Sequence, residues 1–306
     1  MVAINPLTSV LMPVYNAEKY IRAATESILS QTFTDFEFII INDGSTDGTL
    51  DILEEYAQQD RRIRLISREN KGLVATLNEG VGLAKGSLIA RMDADDIALP
   101  ERFQQQIDFL NTHEETVCVG GCAIIIDESG RELTLLKVPA NDEKIQEELL
   151  KGHASVFHPA VMYRKKSVQQ VGLYRKDFYP AEDLDLWLRL GEQGKIANLN
   201  TTVIKYRFLS NSISGRMAKQ QNDAARAATE TAWERRGVLG NFEATGECRT
   251  DESKQSQYSL VLKFGWWAFN YKNKGTAIHY GLKAIKLQPL DKNSWVLLIC
   301  AIFKST

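Results

Sequence analysis

Phe36-Glu37-Phe38-Ile39-Ile40-Ile41, followed at once by Asn42-Asp43-Gly44-Ser45-Thr46-Asp47-Gly48-Thr49, is the passage on which the fold turns. An apolar run this short, stopped by Asn, Asp, Gly and Ser, reads as a strand covered on both faces. Asp47 and Thr49 are good helix-starting residues, and a helical pattern follows over 50–59. The same unit recurs along the first third of the chain. Residues 9–14 form a short apolar run ahead of a helical pattern at 17–31. Residues 63–66 precede a helix at 73–84, 87–92 precede the helix that Pro100 opens to about 111, and 117–126 form a fifth strand. This alternation predicts an α/β fold with a mostly parallel sheet flanked by helices. Right-handed crossovers place every strand-to-helix loop on one edge of that sheet, where ligands bind in such folds.

The 306 residues carry a formal charge of −2, with 44% hydrophobic and 25% charged residues, which excludes wholesale disorder and a chain-wide nucleic-acid footprint. Cys118, Cys122, Cys248 and Cys300 are too scattered for a disulfide framework and lack a matching Cys or His pair for structural zinc, so a reducing cytoplasm is expected. No secretory pattern opens the chain, and no apolar run nears the ~18 residues that span a bilayer. Beyond 126 the alternation weakens: strands are expected at 133–138, 160–163, 196–199 and 203–207, and helices at 142–151, 182–193 and 216–236. The reading divides the chain into a catalytic domain, 1–215, and a C-terminal helical appendage, 216–306. From 254 onward eight lysines face one acid, Asp291, among Trp266, Trp267, Phe269, Tyr271 and Trp295. A two-helix hairpin fits this stretch, either with a solvated basic face or docked on an anionic membrane surface or a partner.

Three loops at the predicted strand ends carry the polar chemistry: Pro13-Val14-Tyr15-Asn16, 42–49, and Arg91-Met92-Asp93-Ala94-Asp95-Asp96. Gly44, Asp47, Gly48 and Thr49 also suit a plain turn and helix cap. Three carboxylates within four residues exceed what a cap needs, and a divalent cation relieves their repulsion. Hard oxygen ligands favour Mg2+ or Mn2+, with phosphate oxygens of a diphosphate substrate completing the shell. Neither a P-loop nor a Gly-x-Gly-x-x-Gly fingerprint is present. Tyr15 offers a ring to stack on a nucleobase. Glu182 and Asp183 open the expected 182–193 helix, where the macrodipole favours acids and where a general base is equally at home.

Taken together, these motifs resemble glycosyltransferase family 2, the inverting nucleotide-sugar enzymes of the GT-A fold, a Rossmann-like architecture. The resemblance covers residues 7–214. It rests on Ser9-Val10-Leu11-Met12-Pro13-Val14-Tyr15-Asn16, Asn42-Asp43-Gly44-Ser45-Thr46-Asp47, Glu69-Asn70-Lys71-Gly72 with Asn78, Ala90 to Asp96, His158-Pro159, and Glu182-Asp183 leading into Leu186-Trp187-Leu188-Arg189-Leu190. It implies that Tyr15 stacks on the base, usually uracil, and that Asp43 accepts the ring N–H. It further implies that Asp93 contacts the ribose, Asp95 binds the metal, and Asp183 is the catalytic base. Pro13, Asn78 and Arg91 complete the implied nucleotide-sugar site, and Glu182 and His158 line the acceptor side, where a buried, hydrogen-bonded histidine is the competing reading. The implied partners are a nucleotide-sugar donor, foremost a UDP-sugar, and a glycan or lipid-linked glycan acceptor of cell-surface polysaccharide synthesis. Nucleic acid is not among them. The implied location is cytoplasmic or peripheral to the inner face of the membrane. Where many relatives place a histidine after a Tyr-Arg pair, this chain continues Tyr206-Arg207-Phe208-Leu209, which leaves Arg207 as a candidate phosphate contact. A nucleotidyltransferase would need a glycine-rich basic loop in place of Pro13-Val14-Tyr15-Asn16, and a non-catalytic sugar-nucleotide-binding protein has no use for Asp183.

Overall fold

Strand β1 (Thr8–Val14) is buried at every position in the computed structural model, which describes residues 6–209, 217–244 and 253–304. It is flanked by β2 (Phe36–Asp43) and β4 (Leu88–Arg91), and β3 (Ile63–Arg68) borders β2. All three pairings are parallel: Thr8 faces Phe36 and Leu88, and Phe38 faces Ile63. The carboxyl ends of these strands therefore share one edge. Helices α1 (Ile21–Leu29), α2 (Thr49–Gln59) and α3 (Leu73–Leu83) supply the crossovers. Gly80 lets α3 close onto β1, because a methyl group there would strike Leu11.

Beyond β4 the sheet turns antiparallel. The short β5 (Ile97–Ala98), α4 (Arg102–Thr112), β6 (Thr116–Ile126), β7 (Glu132–Leu136), α5 (Asp142–Leu150), β8 (Met162–Arg164), α6 (Lys165–Gln170), α7 (Glu182–Leu190) and β9 (Lys195–Arg207) complete it, in the order β3-β2-β1-β4-β8-β6-β9-β5 with β7 on β6. β8 runs against both β4 and β6, and β5 against β9. The two strands expected at 196–199 and 203–207 are one strand. The polar residues between them continue the strand: β-branched Thr201 suits an extended backbone and donates to Gln105 at 2.7 Å. One apolar cluster joins Leu11, Ile39 and Ile41 of the sheet to Leu77 and Val81 of α3 and to Leu186, Trp187 and Leu188 of α7.

The described residues form two compact units. The first holds 6–123, 137–205 and 220–244, including most of α8 (Ala218–Arg236); the second holds 124–136, 206–209, 217–219 and 253–304. The expected division at 215/216, the start of the 216–236 helix and Cys248 lie outside the described residues. In the second unit the expected two-helix hairpin is three helices, α9 (Lys254–Asn270), α10 (Lys274–Leu287) and α11 (Lys292–Phe303). Ser253, Asn273 and Asp291 cap them, accepting from the N–H groups of Ser256, Thr276 and Asn293. Among the described residues no helix is long and apolar enough to cross a membrane.

Candidate active site

The loops after β1 and β2 are stitched to each other. Asn16, at φ 49°, donates its N–H to Ser45 Oγ at 2.9 Å, and its side-chain oxygen accepts from the Thr46 N–H at 2.8 Å. The Ala17 N–H donates to Thr49 Oγ1 at 2.8 Å, and Gly48 N–H donates to Glu18 at 3.0 Å. These bonds hold 16–18 against the β2 loop, a turn spans 18–20, and α1 begins at Ile21 rather than at 17. They also leave Tyr15 standing out from the edge, 54% exposed.

Asp43 ends β2 and is only 4% exposed. It accepts from Arg68, from the Lys71 N–H at 2.8 Å and from the Gly72 N–H at 2.9 Å. Gly72, at φ 86°, gives the turn its left-handed bend. Burial disfavours the charge of Asp43, but the Lys71 N–H, Arg68 and the Gly72 N–H outweigh it and hold the carboxyl below its usual range. A carboxylate has about four acceptor positions. Three are taken, which leaves room on Oδ2 for one more donor.

Two strand spacings away, roughly 10 Å, β4 ends in Arg91, and Asp93, Asp95 and Asp96 follow. One carboxylate oxygen from each lies within 4.8 Å of the other two, an all-oxygen donor set that fits a hard divalent cation. Arg91 is 2% exposed and pairs with Asp93 at 2.6 Å. Burial opposes its charge, but Asp93 keeps the guanidinium firmly protonated. Arg102 lies beneath and donates to the Arg91 carbonyl at 2.7 Å; burial and the neighbouring Arg91 charge push it down to about 9.

Glu182 and Asp183 open α7, and Asp183 Oδ1 accepts the Leu184 N–H at 2.8 Å. Burial raises both carboxyls. Asp183 raises Glu182 further, to about 8, while the Arg91 charge pulls both back and Asp93 pushes both up. His158 begins the short turn His158–Ala160, lies edge-on to Trp187 with ring centroids 5.7 Å apart, and has Nε2 2.9 Å from the Tyr174 hydroxyl. Burial and then Arg91 hold its pKa well below the ordinary value, so the ring is neutral at physiological pH. Arg91 is thus the common electrostatic neighbour of Asp93, Asp96, His158, Tyr174, Glu182 and Asp183.

The family model "Glycosyl transferase family 2" matches residues 9–172. An uncharacterized glycosyltransferase of Haemophilus influenzae is 35% identical over 232 residues, covering 72% of this chain and 71% of that one. This chain belongs to glycosyl transferase family 2. The amylovoran biosynthesis glycosyltransferase AmsE of Erwinia amylovora is 33% identical over 212 residues, 68% of this chain and 79% of its own. The fold is shared with S. aureus TarS 1-349 in complex with UDP (TM-score 0.52, 18% identity, 96% of this chain and 88% of that one). It is also shared with mannosyltransferase PcManGT from Pyrobaculum calidifontis in complex with GDP-Man and Mn2+ (TM-score 0.58, 14% identity, 97% and 79%). The chain is a glycosyltransferase of GT-A fold, and its acidic triplet fits the Asp-x-Asp motif.

Within this glycosyltransferase the sequence-derived site residues fall into groups. Asp93, Asp96, Glu182, Asp183 and His158 gather around Arg91, and Asp95 joins Asp93 and Asp96 in the acidic cluster. Tyr15 and Asp43 lie along the same edge, toward β2. Three more turn their side chains toward the protein. Arg91 is buried and pairs with Asp93. Pro13 is buried in β1, past the last β1–β4 pair, where its missing N–H breaks no bond to β4. Asn78 spends its side-chain amide on the backbone of Tyr174, with bonds of 2.9 and 3.0 Å. Arg207, in the second unit, donates to the carbonyls of Asp127 and Glu128 at 3.0 and 3.3 Å, which commits the guanidinium expected to meet phosphate. Tyr174 was not anticipated. It is buried, bonded to His158 and clamped by Asn78, and a lone Tyr in a loop follows no periodic pattern that would reveal it.

Proposed function

We propose that this glycosyltransferase moves a hexose or N-acetylhexosamine from a UDP-sugar to a hydroxyl of a glycan or lipid-linked glycan, with inversion, in cell-surface polysaccharide synthesis. The observation that carries this reading is the acidic cluster of Asp93, Asp95 and Asp96 beside a buried arginine whose charge also acts on Asp183, on the sheet edge that carries Asp43 and Tyr15. Tyr15 stacks on the uracil, and the remaining acceptor position of Asp43 takes the ring N–H. Arg91 fixes Oδ2 of Asp93, leaving Oδ1 for a ribose hydroxyl. Asp95, with Asp93 and Asp96 beside it, holds Mg2+ or Mn2+. When bound, the cation supplies positive charge against the leaving diphosphate.

Asp183 is the base in this account. Burial makes it a stronger base than a free aspartate, which suits taking a hydroxyl proton near neutral pH. As the acceptor oxygen bonds to the anomeric carbon, its proton passes to Asp183. The bond from that carbon to the diphosphate oxygen breaks, and the nucleoside diphosphate leaves with the electron pair. Neutral His158, fixed by Tyr174, lines the acceptor side. The polysaccharide setting is supported by the name of AmsE, and the uridine donor by TarS in complex with UDP and with UDP-GlcNAc. UDP release from UDP-glucose, UDP-galactose and their N-acetylated forms, with Mn2+ and with chelator, tests the proposal. Metal-dependent release from a UDP-sugar is expected; release only from GDP- or dTDP-sugars would refute the donor assignment.

A further inference from the structure

We infer that helix α11 is an interfacial element that lays its outer face on an anionic phospholipid bilayer. The inference concerns the second unit alone and does not depend on which sugar is transferred. Helix α11 buries Ser294, Leu297, Leu298 and Ala301 against its own unit. Its other side is apolar as well: Trp295, Val296, Ile299, Ile302 and Phe303 are exposed, Phe303 at 79%. At 100° per residue these five fall within an arc of about 120°, opposite the buried set. Leu290, in the turn before the helix, is 98% exposed. A helix that is apolar all round belongs in a core or at a membrane, and an outer stripe of this kind is too contiguous for scattered surface hydrophobes.

Charge decides what covers it. Lys292 lies on the same stripe at the start of the helix and Lys304 caps its end, so an apolar band is bracketed by two long cationic side chains that can reach lipid phosphates. All eight lysines between 254 and 304 are exposed, against the single acid Asp291. The Trp295 indole N–H is already satisfied by the Pro289 carbonyl at 2.8 Å, so an apolar environment leaves no unpaired donor on that ring. A second copy of the chain on this face would bring two strongly cationic segments together. An anionic lipid surface matches both the stripe and the charge.

Sedimentation of the full chain with phosphatidylglycerol-containing and with pure phosphatidylcholine vesicles tests this. Binding to the anionic vesicles is expected, weakening with salt, with a blue shift of Trp emission that Trp295→Phe diminishes. Lys292→Gln with Lys304→Gln should weaken partitioning by about 25-fold, about fivefold per lysine. Ile299→Glu with Phe303→Glu should weaken it by more than about a hundredfold. Because all four side chains are exposed, unchanged thermal midpoints and UDP binding confirm that these variants are folded. Equal binding to neutral vesicles, no binding at all, or undiminished binding by the Ile299/Phe303 variant would overturn the inference. So would a lipid-free dimer that Ile299→Glu disperses, since it would make the face a contact between copies.

Discussion

Replacing Arg91 with Met removes the cation that the carboxylates of the first unit share. The residue is 2% exposed and pairs at 2.6 Å with Asp93, whose side chain is 32% exposed, so loss of the arginine leaves a partly solvated carboxylate without its partner and costs about 2–3 kcal/mol, less than breaking a fully buried pair. At about 2–4 °C per kcal/mol for a unit of this size, the thermal midpoint should fall by roughly 5–10 °C. Arg91→Lys keeps the charge but not the fork, and should lose about a third as much. The chemistry gives an independent readout. Arg91 is the positive charge that pulls Asp183 and Glu182 down against burial, so both rise further without it. A base works only when unprotonated, so the acid limb of the kcat/KM–pH profile should move to higher pH in Arg91→Met and stay near wild type in Arg91→Lys. Differential scanning fluorimetry and a UDP-release assay across pH measure the two effects. An acid limb in Arg91→Met that stays in place or moves down would refute the claim that Arg91 tunes this pair.

Glu182, raised to about 8 by burial and Asp183, is protonated in both folded and unfolded states at low pH and penalises folding increasingly as pH rises from about 4.5 through 8. Glu182→Gln should therefore leave the thermal midpoint unchanged near pH 4 and raise stability by at least about 1 kcal/mol near pH 9. Asp43→Asn should raise the KM for a UDP-sugar about 10- to 100-fold with a smaller change in kcat, as expected for one lost charge-assisted bond. The Asp43 carboxyl is held below its usual range, so the stability it contributes is present above that range and fades as pH falls through its folded-state pKa; thermal midpoints of variant and wild type should converge as the pH is taken below the usual carboxylate range. Tyr15→Ala should weaken UDP binding by about 1–3 kcal/mol of stacking, read by calorimetry, without moving the thermal midpoint, because the ring is exposed.

The parallel half of the sheet was legible because its strands are apolar on both faces and end abruptly in Asn42-Asp43-Gly44 and Met92-Asp93-Ala94, and shared direction then placed those ends together. The antiparallel half was harder to read. β5 is two residues long, too short for any period, and β9 runs through Asn200-Thr201-Thr202, which mimics a turn. The candidate site was legible in its carboxylates, since three acids in four residues exceed any capping need. What the sequence concealed was depth. Arg91, Pro13 and Asn78 stand beside the motif residues, but their side chains point into the protein, and only tertiary contacts distinguish a residue that would touch a ligand from one that holds its neighbour. Tyr174 depends on Asn78, 96 positions away, a separation that no local pattern encodes. In the tail, Ser253, Asn273 and Asp291 start three helices, whereas the periodicity of 254–304 fits a hairpin of two as well.

Calorimetric titration of UDP with Mn2+ against wild type, Asp43→Asn, Asp95→Asn and Asp183→Asn, paired with single-turnover sugar transfer by each, tests the central claim most directly. The account predicts that the Asp43 and Asp95 variants lose UDP affinity, while the Asp183 variant binds as wild type does and fails to transfer. Near-wild-type transfer by Asp183→Asn, or undiminished UDP binding by both other variants, would contradict it.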